Sequence, residues 1–215
     1  MSSAKIEHMH HAVIAACVIG IVLAAVAISA RAALPNDAAI DGAVTRAAAA
    51  ADTKLRGSPA GRVEVGITVG FSRGAPSARE VALQAIVDAR KSIHLAAYQF
   101  THPDIIRALI AAKRRGVQVA VVLDRTQANG DSQAAMVAAG IACRIDGRFR
   151  IMHHKFIVVD GRDVETGSFN YSVNADKVNA ENALYLKNLP ELAAQYKAQW
   201  DAIYAPATAC AGGGQ

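Results

Sequence analysis

Apolar and polar positions divide the chain into stretches of different character. From Ala12 to Ala30 no charged side chain interrupts an apolar run, which is preceded by Lys5 and a histidine cluster and followed by Arg31. This predicts a hydrophobic helix in an N-terminal segment, residues 1–34, that serves as a signal peptide or a membrane anchor. The run exceeds the ~7–15-residue core of a signal peptide and approaches the ~20 residues that span a bilayer. Ala30-Arg31-Ala32 nevertheless offers a cleavage pattern. Residues 35–61 pass from Pro35 through an alanine run to Gly57, Pro59 and Gly61, and read as an Ala-rich helical spacer ending in a joint.

Beyond the joint the periodicity alternates between two and 3.6. Strands are predicted near 62–69, 92–98, 117–123 and 141–145, with helices near 76–90 and 103–115 and a short helix after the polar loop 124–131. The helix at 103 has start and stop signals: Thr101 as cap, Pro103 and Asp104 in the first turn, then Lys113-Arg114-Arg115 before Gly116. Residues 151–187 are rich in strand, and an amphipathic helix closes the domain from Pro190 to Tyr204. The expected architecture is α/β, a mixed, largely parallel β-sheet flanked by helices over residues 62–205. A flexible tail is expected at 206–215 unless Cys210 ties it down.

Composition narrows the function. At 215 residues the chain has room for one good core and not for two large domains. A net charge of +5 favours anionic partners such as nucleic acid or acidic headgroups, with a merely soluble basic surface as the alternative. Three cysteines are too few for a disulfide scaffold, and their spacing does not match a zinc site. Cys143 and Cys210 are the candidate disulfide in an oxidising compartment, and two free thiols are the alternative. His8, His10 and His11 flank the apolar run and read as its polar border. No metal site or cofactor is expected.

The chemistry concentrates in one stretch. After His153-His154-Lys155, four apolar residues end at Asp160-Gly161, a strong hairpin-turn signal. With those two residues as the loop, Lys155 opposes Thr166 and His153 opposes Ser168; a loop one residue later pairs Lys155 with Ser168 and His153 with Asn170. Either register puts His153, Lys155, Ser168 and Asn170 on one side, because opposed residues share a face. An imidazole, an ammonium, a hydroxyl and an amide together supply what a phosphodiester requires: a nucleophile, fixed positive charge and hydrogen-bond donors. Asp160 falls in the turn, where its expected role is structural. His94 and His102 read as packing or loop residues, and His154 points to the opposite face.

The pattern His153-x-Lys155, Asp160, then Gly167-Ser168-x-Asn170 resembles the HKD signature of the phospholipase D superfamily. Together with Glu181 and its neighbours, it is similar to the Nuc-like, single-motif bacterial endonucleases of that superfamily. The resemblance covers about residues 62–204. It implies a metal-independent phosphodiesterase in which His153 forms a phosphohistidine, Lys155 and Asn170 hold the phosphate oxygens, Ser168 lines the site and Glu181 orients the histidine through its ring nitrogen. The pattern needs two histidines and the chain has one copy, so it implies a homodimer with the site at the twofold interface. The substrate implied is DNA, with RNA also in range. A hydrolase of membrane phospholipids and a nucleic-acid-binding relative without turnover are the alternatives. The apolar segment places the protein in the periplasm, or in the inner membrane facing it.

Overall fold

The computed structural model describes residues 64–211. The hydrophobic helix expected at 12–30, the spacer at 35–61 and residues 212–215 of the tail lie outside the described residues.

The described chain runs β1 (Gly66–Phe71), α1 (Ala78–Asp88), β2 (Ser92–Ala97), α2 (Pro103–Arg114), β3 (Gln118–Asp124), a 3-10 turn (Arg125–Gln127), α3 (Gly130–Ala138) and β4 (Ala142–Asp146). Then follow β5 (Lys155–Val159), β6 (Asp163–Gly167), α4 (Val173–Lys177), β7 (Asn182–Lys187), α5 (Pro190–Tyr204) and β8 (Thr208–Ala209). All eight strands form one sheet in the order β1-β7-β6-β5-β2-β3-β4-β8.

The sheet is mixed and flanked by helices, but its neighbour pairings are not largely parallel. Only β2 with β3 and β3 with β4 run parallel; the other pairs are antiparallel. The physical reason is the chain's second half. The β5–β6 hairpin and β7 enter between β1 and β2, so β1 lies at the edge and does not pair with the strand that follows it through α1.

One face of the sheet packs against α1, α2 and α3 through Val81, Ile86, Leu109, Met136, Leu95, Val121 and Ile157. The other face is covered by α5, where Trp200 and Ile203 meet Ala96, Val122, Phe156 and Val158. Helix α1 starts in a reciprocal cap, with the Glu80 N–H donating to Ser77 Oγ at 3.2 Å and the Ser77 N–H donating to Glu80 Oε2 at 2.8 Å. The cap of α2 is His102, not Thr101: its Nδ1 accepts from the Asp104 N–H at 3.1 Å, because Pro103 occupies the first helical position and puts the cap immediately before it.

The tail is not free as far as Ala211. Residues β8 pair antiparallel with β4, the Cys210 N–H donates to the Cys143 carbonyl at 2.9 Å, and Cys143 and Cys210 form a disulfide. That bond closes the sheet edge opposite β1.

Candidate active site

The site lies where β5 begins, beside the end of β2. Lys155 opens β5 and pairs with Ala97, the last residue of β2, and the Tyr98 N–H donates to the His154 carbonyl at 3.0 Å. The pairing carries the Tyr98 ring to 4.6 Å from the exposed His153 ring. The Lys155 side chain is buried, with Nζ donating to the His153 carbonyl at 2.8 Å and lying 5.1 Å from the centre of the Tyr98 ring. Burial lowers the Lys155 pKa below the ordinary lysine value, and the negative charge of Glu181 opposes that shift. The imidazole is thus exposed, and the ammonium beside the same tyrosine ring is held in place by the His153 carbonyl.

The hairpin that leads to the site has neither register expected from the sequence. Phe156 opposes Thr166 and Val159 opposes Asp163, one residue off each expectation. Asp160 and Gly161 form the turn with φ of 54° and 68°, and the Arg162 N–H closes it on the Val159 carbonyl at 3.1 Å. Arg162 is therefore an extra residue between turn and ladder, a bulge that shifts the returning strand. Continued to its end, this register sets Lys155 against Gly167 and not against Thr166 or Ser168.

Ser168 consequently does not reach the site through the pleat of the sheet. It follows the end of β6, where Gly167 lies so close to β7 that a Cβ there would come within 2.3 Å of the Asn182 carbonyl oxygen. Only glycine permits that approach. Past it, the exposed Ser168 hydroxyl donates to Glu181 Oε2 at 2.5 Å and accepts from the Asn182 N–H at 3.0 Å. Asn179 Nδ2 donates to Glu181 Oε1 at 2.9 Å, and the Glu181 N–H donates to Ser72 Oγ at 2.8 Å. Both oxygens of Glu181 are thus engaged by Ser168 and Asn179, and within the described residues the carboxylate makes no hydrogen bond to His153. The direct bond to the histidine ring that the resemblance implies is absent among the described residues, where Ser168 and Asn179 donate to the two oxygens instead.

Asn170 lies in the same turn; its carbonyl accepts from the Ser172 N–H at 2.7 Å, while its buried Oδ1 has no hydrogen-bond partner among the described residues. Asp160 is remote from this end. Its carboxylate accepts from the backbone N–H groups of Arg90 at 3.0 Å, Lys91 at 2.7 Å and Ser92 at 2.9 Å. Burial pushes its pKa up, but those three donors outweigh burial and hold it below the ordinary value.

The other histidines are occupied elsewhere. His94 packs edge-on against Trp200 at 4.7 Å, and burial pushes its pKa down to about 4. His102 is buried in its capping role with Nε2 3.5 Å from Asp176. His154 packs against Phe156 on the α5 side, where burial lowers its pKa. No second imidazole among the described residues joins His153. Nor does any group of three or more His, Cys, Asp or Glu side chains among them come together as a metal site.

Sequence reasoning assigned no role to Tyr98, Ser72 or Asn179. Tyr98 was expected as the last residue of a strand near 92–98 and stands just past the end of β2. Asn179 stands two residues before Glu181 in the stretch that carries the resemblance, whereas Ser72 had no signal, since the β1–β7 pairing brings it to Glu181.

The family model described as cardiolipin synthase, PLD-like domain, matches residues 82–204. The chain belongs to this phospholipase D-like family. Nuc, a phospholipase D family member from Salmonella typhimurium, is 40% identical in sequence and superposes with a TM-score of 0.66 over 68% of this chain and 98% of Nuc. A mitochondrial cardiolipin hydrolase from Xenopus tropicalis is 39% identical over 104 residues, 47% of this chain and 50% of that protein. A phospholipase D from Rickettsia bellii is 40% identical over 118 residues, 52% of this chain and 56% of that protein. The chain thus spans about half the length of the curated relatives it matches.

Proposed function

We propose that this chain is a phosphodiester hydrolase that cleaves nucleic acid, DNA first and RNA also, with His153 as nucleophile. The observation that carries the proposal is the exposed His153 imidazole packed on the Tyr98 ring, which the buried ammonium of Lys155 also approaches while bonded to the His153 carbonyl. In the first step a ring nitrogen of His153 bonds to phosphorus and the bond from phosphorus to the leaving oxygen breaks. Lys155 and the Asn170 amide hold the non-bridging oxygens, and Ser168 fixes the carboxylate of Glu181 at the rim. The leaving oxygen takes its proton from a second imidazole, the partner subunit's His153 in a symmetric homodimer. Water then attacks phosphorus, returns a proton to that imidazole and frees His153.

Nucleic acid is favoured by the net charge of +5 and by the coverage of nearly all of Nuc. The lipid alternative draws on the names of the cardiolipin hydrolase and phospholipase D relatives. The Cys143–Cys210 bond supports an exported protein, periplasmic or anchored through residues 12–30 and facing the periplasm.

The deciding experiment incubates plasmid DNA and, separately, phospholipid vesicles with the full chain in EDTA, alongside His153→Ala. DNA cleavage by the wild type alone is expected. Headgroup release from vesicles without DNA cleavage would overturn the substrate assignment. Full activity from a strictly monomeric species in sedimentation would overturn the dimer.

A further inference from the structure

We propose that the loop joining β4 to β5, residues 147–151, grips an unpaired nucleic-acid strand next to His153, with Phe149 stacking on a base and Arg125 and Arg150 meeting the adjacent phosphates. This rests on nucleic acid being the substrate, as assigned above. The loop reads Gly147-Arg148-Phe149-Arg150-Ile151, and every one of these residues is exposed. Phe149 is 50% exposed and lies four residues before His153, which limits their separation along the backbone to about 14 Å.

The loop is held rigidly, so the exposed ring is presented and not merely left over. Buried Asp146 accepts from Arg148 Nε at 3.0 Å and from the Phe149 N–H at 3.4 Å. Arg148 Nη2 donates to the Ala202 and Ile203 carbonyls at 2.8 and 3.3 Å, near the end of α5, and its guanidinium lies 5.6 Å from the centre of the Phe149 ring. Buried Asp124 ties the far side, accepting from the Met152 N–H at 2.6 Å and from the Thr126 N–H at 2.7 Å. Arg125 follows that aspartate, and its side chain lies along Gly147, where a Cβ would come within 3.2 Å of Arg125 Cδ.

Arg148 is consumed in holding the loop. The exposed guanidinium groups of Arg125 and Arg150 form no hydrogen bond or ion pair among the described residues; Arg150 follows Phe149 in the chain and Arg125 lies along Gly147, two residues before Phe149. A base can stack on the Phe149 ring only where its own face is uncovered, as in a single strand, because a duplex closes its bases into the stack. A bilayer would call instead for a broad apolar face, and here the neighbours of Phe149 in the chain are arginines.

The test measures binding on His153→Ala protein, so that turnover does not intervene, with one labelled oligonucleotide presented single-stranded and as a duplex. Phe149→Ala in that background is expected to weaken single-strand binding about tenfold and duplex binding less than about twofold, while Phe149→Trp restores it. Arg125→Ala and Arg150→Ala are each expected to flatten the salt dependence of single-strand affinity by roughly 0.7 in log–log slope, which Phe149→Ala leaves unchanged. Unaltered single-strand affinity in Phe149→Ala, or equal losses on both forms, overturns the proposal. So does a loss confined to anionic vesicles. Plasmid cleavage by the wild-type protein alongside either of the first two results would sink this loop's role alone, whereas cleavage of vesicles only would sink the substrate assignment too.

Discussion

The β5–β6 hairpin has two ends built on opposite terms. At the turn, the carboxylate of Asp160 receives three backbone N–H groups and joins the hairpin to the junction of α1 and β2. At the open end, among the described residues, His153 is exposed, the buried Lys155 ammonium makes a single hydrogen bond, and Asn170 carries a buried amide oxygen without a partner. Buried polar groups are ordinarily satisfied, and leaving one unmet costs about 1–3 kcal/mol. Two strands of five residues each thus separate a place where polar groups hold the chain from one where they are left able to react.

The comparison breaks if the two ends respond alike to substitution. The largest effect expected is on turnover in His153→Ala: at least about a thousandfold loss in phosphodiester cleavage, from removal of the nucleophile. Its melting temperature should stay near that of the wild type, because the ring is exposed. A comparable fall in stability would show that His153 is part of the scaffold.

Next comes the sheet edge away from both ends. Cys143 and Cys210 are 67 residues apart, and loop-closure entropy suggests that losing their bond costs about 4 kcal/mol. Denaturant titration of Cys143→Ser with Cys210→Ser should show this loss with cleavage unchanged under folding conditions. An activity loss without a stability loss would place that edge in the site.

The turn should give a smaller loss, about 3 kcal/mol for Asp160→Ala, because it strands three backbone donors. The folded-state pKa of Asp160 lies below its unfolded value, so its stabilisation is complete above the ordinary carboxylate range and fades as pH falls through the lowered value. The gap between wild type and Asp160→Asn in thermal melts should therefore close in acid. A gap that widened in acid would contradict the three-donor cradle.

Much of the fold was legible because it rests on local chemistry. The Pro190–Tyr204 helix stands where its periodicity put it, and so does the Asp160-Gly161 turn. The strand pairing was less so. Nothing in the residues between β1 and β2 reveals that β5, β6 and β7 come between them, since that order depends on contacts distant in sequence. The hairpin register failed for a narrower reason: Arg162 looks like the first residue of a strand, and only the hydrogen bond of its N–H to Val159 marks it as surplus. In the site, the motif pointed to His153, Lys155 and Ser168. The bond between Ser168 and Glu181 was hidden because it depends on the backbone clearance at Gly167.

The surplus residue also makes the hairpin sensitive to length in a way that no side-chain change reproduces. Removing Arg162 would leave a two-residue connection and advance the returning strand by one place, turning each of its side chains to the other face. The buried carboxyl of Glu165 would then lie among the apolar contacts of α5, away from the Tyr171 hydroxyl that now bonds it at 2.7 Å. Chains of this design can exchange residues along that strand far more readily than they can drop or gain one at its start.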